Sequence, residues 1–320
     1  MKIVIIGPGS AGSLLYAFLS RTEHVIAILD KDPARTAFLR RNGIRIEGGP
    51  CSGGYPAKVY ASARDIPATV DLLFFCVKSF DTAYAVQHAL PLIEKDTTLV
   101  SFQNGLGNAE TIMGLSGSKR VLCAVTSHGI TRLDTGKIRH AGEGLTSAAA
   151  AAGSSLSGAE NLAAILNACG MKTRSERNCD SMLWSKLVVN AAINPLTALW
   201  SIPNGGIIKD PAMKTTALSA CREAADTASA KGIDLLFDSP EAEVERVCRL
   251  TAGNISSMLQ DVRRGRRTEI EAITGTIVRE AESLGVPAPT NRKLLERFRS
   301  KHREPQCDQN TRQDEPGNTP

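Results

Sequence analysis

The sequence predicts an α/β protein: an N-terminal parallel sheet covered by helices over residues 1–175, followed by an all-α domain over 176–303. Three observations lead there. Short unbroken apolar runs alternate with helical patterns through the first half, as expected of strands buried on both faces. From about Cys179 strand-like runs vanish and helical periodicity dominates. At ~150 residues per domain, a chain of 320 residues has room for about two.

The elements follow in order. Lys2–Ile6 is an apolar strand run, and a helix is predicted over Ser13–Ser20. Val25–Leu29 is the next strand and Pro33–Arg41 the next helix, with Leu72–Val77 and Thr98–Phe102 repeating the strand theme. Arg120–Thr126 and Lys137–Leu145 read as further strands, Leu156–Ala168 as a helix and Met171–Arg174 as a last short strand. The alanine run Ala148–Ala152 fits either a strand end or a small-residue packing surface, and no function is assigned to it. The second half reads as helices over Ser181–Trp200, Pro211–Lys231, Pro240–Gln260, Glu269–Leu284 and Arg292–Arg299, punctuated by Pro and Gly. Residues 304–320 hold no large apolar side chain and are expected to be disordered.

Composition narrows the function. Apolar residues make up 42% and charged ones 22%, enough apolar material for a core. The net charge of +5 suits an enzyme of small anions and falls short of a nucleic-acid footprint; aromatics at 4% leave few stacking platforms for bases. No stretch reaches the ~18–20 apolar residues of a membrane span, and the run Ile3–Ile6 is too short for a signal peptide. The eight cysteines are scattered without a Cys-x-x-Cys pair, so reduced buried thiols in a cytoplasmic protein are expected, with no disulfide scaffold and no metal site.

Gly7-Pro8-Gly9-Ser10-Ala11-Gly12 is a G-x-G-x-x-G loop with a strand before it and a helix after it. Asp30 stands at the end of the next strand run, 18 residues beyond Gly12. In that context the loop marks a Rossmann-type dinucleotide-binding domain. Gly7 allows the tight turn, Gly9 the approach of a pyrophosphate and Gly12 close helix packing, with the helix N-terminus facing the phosphates. An acid at position 30 favours the ribose hydroxyls of NAD and repels the 2′-phosphate of NADP. Lys31 and Arg35 nearby offer that phosphate a partner, and Asp30 also reads as an N-cap for the helix at 33–41.

Residues 183–193 are apolar nearly all round, so that helix is expected to be buried. Lys186, Asn190 and Asn194 interrupt it at i, i+4 and i+8, and at ~100° per residue they project from one stripe. A buried ammonium with two amides costs free energy unless paired, and together they suit a carboxylate, hydroxyl or ketone. Burial is expected to lower the pKa of Lys186 toward a range useful for proton transfer. Pro195 is expected to break the ladder and bend the chain toward Asn204.

These residues together resemble the ketopantoate reductase family, the 2-dehydropantoate 2-reductases. The resemblance runs from residue 1 to about 300 and is carried by GPGSAG, CVKSFDT (76–82), FQNGLGN (102–108), WSKLVVNAAINPLTALWSIPNG (184–205) and SSMLQDVRRGRRTEIEAITG (256–275). The combination K-x3-N-x3-N-P with S-M-x-x-D-x7-E is the most specific part. The resemblance implies a 6-phosphogluconate-dehydrogenase-like architecture and reduction of 2-dehydropantoate to pantoate. It puts Lys186 where the family places its proton donor. Asn190, Asn194, Asn204 and Ser257 fall where substrate is bound. Lys78 and Asn104 fall at strand ends that hold ribose and nicotinamide, with Asn104 also near substrate. Glu269 falls where an acid touches the cofactor and supports the lysine. The family implies NADPH; many members carry a basic residue where this chain has Asp30, which keeps NADH open. A related 2-oxo acid reductase and a non-catalytic dinucleotide sensor are the alternative readings, and a homodimer is left open. Arg263–Arg267 reads as a solvated face near an anionic pocket. His128 fits either a place near the nicotinamide or a loop position, and His24 and His140 carry no signal.

Overall fold

The computed structural model describes residues 1–67 and 69–302. The tail expected to be disordered, with Cys307, lies outside the described residues. The N-terminal part runs β1 (Lys2–Ile6), α1 (Ser10–Leu19), β2 (Val25–Leu29), α2 (Pro33–Asn42), β3 (Ile44–Glu47), β4 (Gly53–Tyr55), β5 (Val59–Tyr60), β6 (Leu72–Phe75), α3 (Thr82–Ala89), β7 (Thr98–Ser101), α4 (Asn108–Ser116), β8 (Val121–Thr126), β9 (Gly129–Asp134), β10 (Lys137–Gly142), β11 (Thr146–Ala150), α5 (Leu156–Ala168) and β12 (Thr173–Glu176). An eight-stranded sheet has the order β12-β11-β8-β7-β6-β1-β2-β5. Every pair in it is parallel except β8 with β11.

Alternate side chains of the central strand feed two cores. Ile3 and Ile5 meet Leu14, Leu15 and Phe18 of α1, whereas Val4 and Ile6 join Phe75, Val86 and Leu99 on the other face. That two-sided burial is why the strands read as unbroken apolar runs. The alanine run resolves as an interior strand, β11. Ala148 packs with Ala159 and Leu162 of α5, and Ala149 shares the opposite core with Met182. Small side chains let helices approach both faces of the sheet there.

A second sheet, β4-β3-β10-β9, is absent from the sequence reading, which has one strand over Lys137–Leu145. Its strands are short or half-buried, so they lack the apolar signal. The hairpin β9–β10 and β3 pack beside α1.

The rest is helical: α6 (Cys179–Trp200), α7 (Asn204–Lys209), α8 (Pro211–Ala230), α9 (Pro240–Leu250), α10 (Ser257–Arg263), a π-helical turn (Glu271–Gly275) running into α11 (Thr276–Leu284), and α12 (Pro289–Lys301). Buried α6 packs Leu187, Val188, Ala191 and Leu196 against the small stripe Ala217, Ala220, Ala224 and Ala228 of α8. Among the described residues no helix is long and apolar enough to cross a membrane.

Three helix expectations need correction. α1 begins at Ser10, inside the glycine loop, so the loop supplies its first turn. The single helix expected over Pro240–Gln260 is two helices: Leu250 ends α9, and Ser256 starts α10 by accepting a bond from Leu259 N. Pro195 lies within α6 without ending it; the chain turns toward Asn204 at Ser201, which takes a left-handed φ of 55°.

Candidate active site

The carboxyl ends of β1 and β6 flank the point where the sheet's strand order reverses, the usual ligand crevice of such sheets. The glycine loop sits there. A Cβ on Gly12 would lie 2.3 Å from the Gly7 carbonyl oxygen, so α1 passes too close for any side chain. A Cβ on Gly9 would meet nothing nearer than Cys76 O at 3.9 Å. Gly9 caps α1 without a side-chain bond, leaving the first helical N–H groups facing that space. Gly7 and Gly9 open onto a cavity of about 1390 Å³ between the sheet and the helices. Single ligand pockets are usually ~300–1,000 Å³, so this one has room for a dinucleotide and a small acid together.

Asp30, Lys78, Asn104, Lys186, Asn190, Asn194, Asn204, Ser257 and Glu269 all line the same cavity; Gly12 lies beneath it. Asp30 is only 2% exposed. Both its oxygens accept from Arg35, through Nε and Nη2. It is not the cap of α2. Asp32 is, accepting from Ala34 N at 2.9 Å and Arg35 N at 3.1 Å. Lys31 pairs with Asp81 at 2.7 Å.

Lys78 leaves the end of β6 and reaches two acids from the helical part, Asp261 Oδ2 at 2.7 Å and Glu269 Oε2 at 3.2 Å. Glu269 also accepts from Ser79 N at 3.1 Å. Burial opposes the charge on Lys78, but Glu269 and Asp261 outweigh it and raise its pKa. Burial raises Asp261 despite Lys78. Glu269 therefore holds Lys78 and not Lys186, a correction to the expected support. Lys186 looks elsewhere for its partner because β8 ends beside α6. Asp261, the acid of the S-M-x-x-D-x7-E pattern, is a site residue whose role the sequence alone does not reveal.

Lys186 Nζ donates to Thr126 O at 2.9 Å, its one hydrogen bond among the described residues. Burial pulls its pKa down to about 8. The side chains of Asn104, Asn190 and Asn194 find no hydrogen-bond partner among the described residues. Asn204 donates to Thr251 Oγ1 at 2.9 Å, and its buried Oδ1 accepts nothing. Ser257 is exposed at the start of α10. The stripe thus presents one ammonium and several amides with unspent hydrogen-bonding capacity, a costly arrangement without a ligand.

His128 lies beside this stripe. Its Nδ1 accepts from Gly144 N at 3.1 Å and is 2.9 Å from His140 Nε2. Burial, with the charges of His140 and Lys186, pushes it down to about 4, so it stays neutral next to the lysine. The hairpin register brings His140 there, opposite Ile130, which no local sequence signal reveals. Among the described residues no cluster of His, Cys, Asp and Glu is arranged to hold a metal.

Residues 3–153 match the family model described as ketopantoate reductase PanE/ApbA, and residues 178–302 match that for its C terminal part. The chain is 34% identical to the 2-dehydropantoate 2-reductase of Archaeoglobus fulgidus, over 92% of this chain and 95% of that one. It is 32% identical to the 2-dehydropantoate 2-reductase of Halobacterium salinarum, over 95% of this chain and all of that one. Among solved structures it is similar to a PanE/ApbA family ketopantoate reductase from Ralstonia eutropha, with a TM-score of 0.85 at 29% identity, covering 95% of this chain and 99% of that one.

Proposed function

We propose the activity of the family to which the chain belongs, the ketopantoate reductases: reduction of 2-dehydropantoate to pantoate, in pantothenate biosynthesis, with a nicotinamide dinucleotide as electron source. The observation that carries this reading is Lys186. Its ammonium stands in the cavity with the unpartnered amides of Asn190 and Asn194, and the glycine loop lines the same space. The fitting protein would act in the cytoplasm.

The open space at Gly9 and the uncapped helix N-terminus fit a pyrophosphate. Gly7 and Gly9 would hold the phosphates, Asp30 with Arg35 the adenosine ribose, and Lys78 and Asn104 the nicotinamide end. NADPH is the form assigned, because Asp30 meets the cavity as half of an ion pair and not as a free acid. When bound, the nicotinamide supplies the hydride that adds to C2 of the ketone.

Lys186 does the chain's part of the chemistry. One of its three N–H bonds is spent on Thr126 O, which fixes the ammonium and leaves two to face a ketone oxygen. Negative charge grows on that oxygen during reduction, and the ammonium stabilises it and then transfers a proton. With a pKa of about 8, Lys186 is mostly protonated at neutral pH yet close enough to it to give the proton up. Solvent then reprotonates the amine. Asn204 Oδ1, the orphaned acceptor, suits the substrate's 4-hydroxyl, and Asn190, Asn194 and Ser257 suit the carboxylate. The test is oxidation of NADPH and of NADH, followed by absorbance, on adding 2-dehydropantoate. Turnover with at least one is expected; no oxidation with either overturns the assignment.

A further inference from the structure

We infer that Arg132, on β9, and Arg266, in the turn after α10, complete with Arg35 a phosphate monoester site, and that this site takes the 2′-phosphate of NADPH. The inference rests on reading the cavity as a dinucleotide site.

It starts from Asp30, whose position ordinarily selects against that phosphate. Here the carboxylate is closed off. Arg35 takes both oxygens in a two-pronged contact, and Asp32 N donates to Oδ1 at 3.3 Å. A paired, buried carboxylate has little left to repel an anion with, while Arg35 keeps N–H bonds free to point outward.

Further arginines stand around that pair. Arg132, Arg264 and Arg266 line the same cavity as Asp30 and Arg35. Arg264 is tied down, with Nη1 on Gln260 O at 3.2 Å and Nη2 on Arg132 O. Gln260 in turn accepts from Arg132 N at 3.2 Å, so β9 and α10 are stitched together at this point. The guanidinium groups of Arg132 and Arg266 find no hydrogen-bond acceptor or ion pair among the described residues. Burial, then the charges of Arg266, Arg35 and Arg264, hold Arg132 below its usual pKa, with Asp134 opposing them. Arg132 thus feels three other guanidinium groups against Asp134 alone, while Asp30, Asp32 and Asp81 act on Arg35 and Asp261 faces Arg266. Such crowding is unfavourable in the free protein and is offset by a ligand that brings two negative charges in a small volume.

A phosphate monoester is that ligand: it carries about −1.5 to −2 at neutral pH and presents oxygens that match the guanidinium fork. The dinucleotide's pyrophosphate already has the glycine loop and the α1 N-terminus. The 2′-phosphate would project from the ribose beside Asp30 and has no other claimant in the cavity.

Adenosine 2′,5′-bisphosphate and 5′-AMP separate the sources, since they differ only in that phosphate. Calorimetric titration of the whole protein is expected to show the bisphosphate binding at least ~10-fold more tightly. R132Q and R266Q, singly and together, are expected to narrow the ratio toward unity. R132K, which keeps charge without the fork, should restore part of it. Arg266 is exposed, so R266Q reads the site even if R132Q folds poorly. Equal affinity of the two nucleotides in the unaltered protein overturns the inference and leaves the dinucleotide reading intact. So does an equal weakening of both nucleotides in the variants, which would place the arginines on the 5′-phosphate. Binding of neither nucleotide defeats the dinucleotide reading itself and the inference with it.

Discussion

Lys78 Nζ lies 2.7 Å from Asp261 Oδ2, a contact that spans 183 positions of sequence. It joins the end of a strand in the nucleotide-binding sheet to the helix carrying Ser257. Glu269 closes the group from the next element and adds Ser79 N. One ammonium therefore bridges two acids at the seam of the cavity.

Removing that ammonium should make stability depend on pH. Asp261 is already raised by burial, and Lys78 is its main opposing influence. In K78M it should rise further. A carboxyl raised in the fold binds protons the unfolded chain has released, so the variant loses stability as pH climbs from about 4 through the folded-state pKa. Breaking a fully buried pair costs ~3–5 kcal/mol. The Lys78 side chain is 35% exposed, so solvent screening reduces the expected deficit to about 1–2 kcal/mol near pH 8. Denaturant unfolding at pH 4.5 and 8 checks this; the same deficit at both would mean that the pair does not set the stability.

The K186M variant should lower kcat by a factor on the order of 10²–10⁴ while nucleotide still binds. Among the described residues Lys186 makes one hydrogen bond, to a backbone carbonyl, and no ion pair, so its loss should leave the fold in place. Steady-state kinetics beside nucleotide titration separate the two effects. An unchanged kcat would falsify the acid role.

The same lysine sets a pH profile. Its pKa is depressed from about 10.5 to about 8, and the protonated form is the donor. The rate of ketone reduction should be flat on the acid side and fall about tenfold per pH unit above 8. The break should be missing from the residual rate of K186M. A profile still flat at pH 9 would rule out a lysine of depressed pKa as the donor.

Much of this site is legible in the sequence because its parts are local. The glycine loop, the end of β2 and the stripe on α6 each lie within one element, where spacing fixes direction. What the sequence hides is pairing between elements. Arg35 five residues past Asp30 is readable as a basic neighbour, but not as the partner that uses up both carboxylate oxygens. Glu269 is placed by its motif, yet whether it meets Lys78 or Lys186 depends on how α10 and the π-helical turn are set against β6. Asp261 meets Lys78 across the cavity, and His140 reaches His128 through the register of a hairpin whose strand β9 is too polar to announce itself. The missed second sheet has a related cause, since half-buried strands carry weak periodicity; α9 and α10 are parted by a short local break that ends at the Ser256 cap.

The last prediction separates two glycines with different tasks. Gly9 and Gly12 differ in the space around them as they do in their motif roles. At Gly9 a Cβ has nothing within 3.9 Å and the backbone φ is −71°, which alanine adopts freely. G9A should therefore melt at the unaltered temperature or slightly above it, since alanine restricts the unfolded chain. Its added methyl fills the space left for a pyrophosphate, so nucleotide affinity should fall at least ~10-fold. At Gly12 a Cβ would sit 2.3 Å from a backbone oxygen, which cannot rotate away. G12A must push α1 off β1, and overpacking of that kind costs ~1–3 kcal/mol or more. Both variants should bind nucleotide poorly, but only G12A should melt lower. If G9A is destabilised as much as G12A, the space at Gly9 belongs to the fold and not to a ligand.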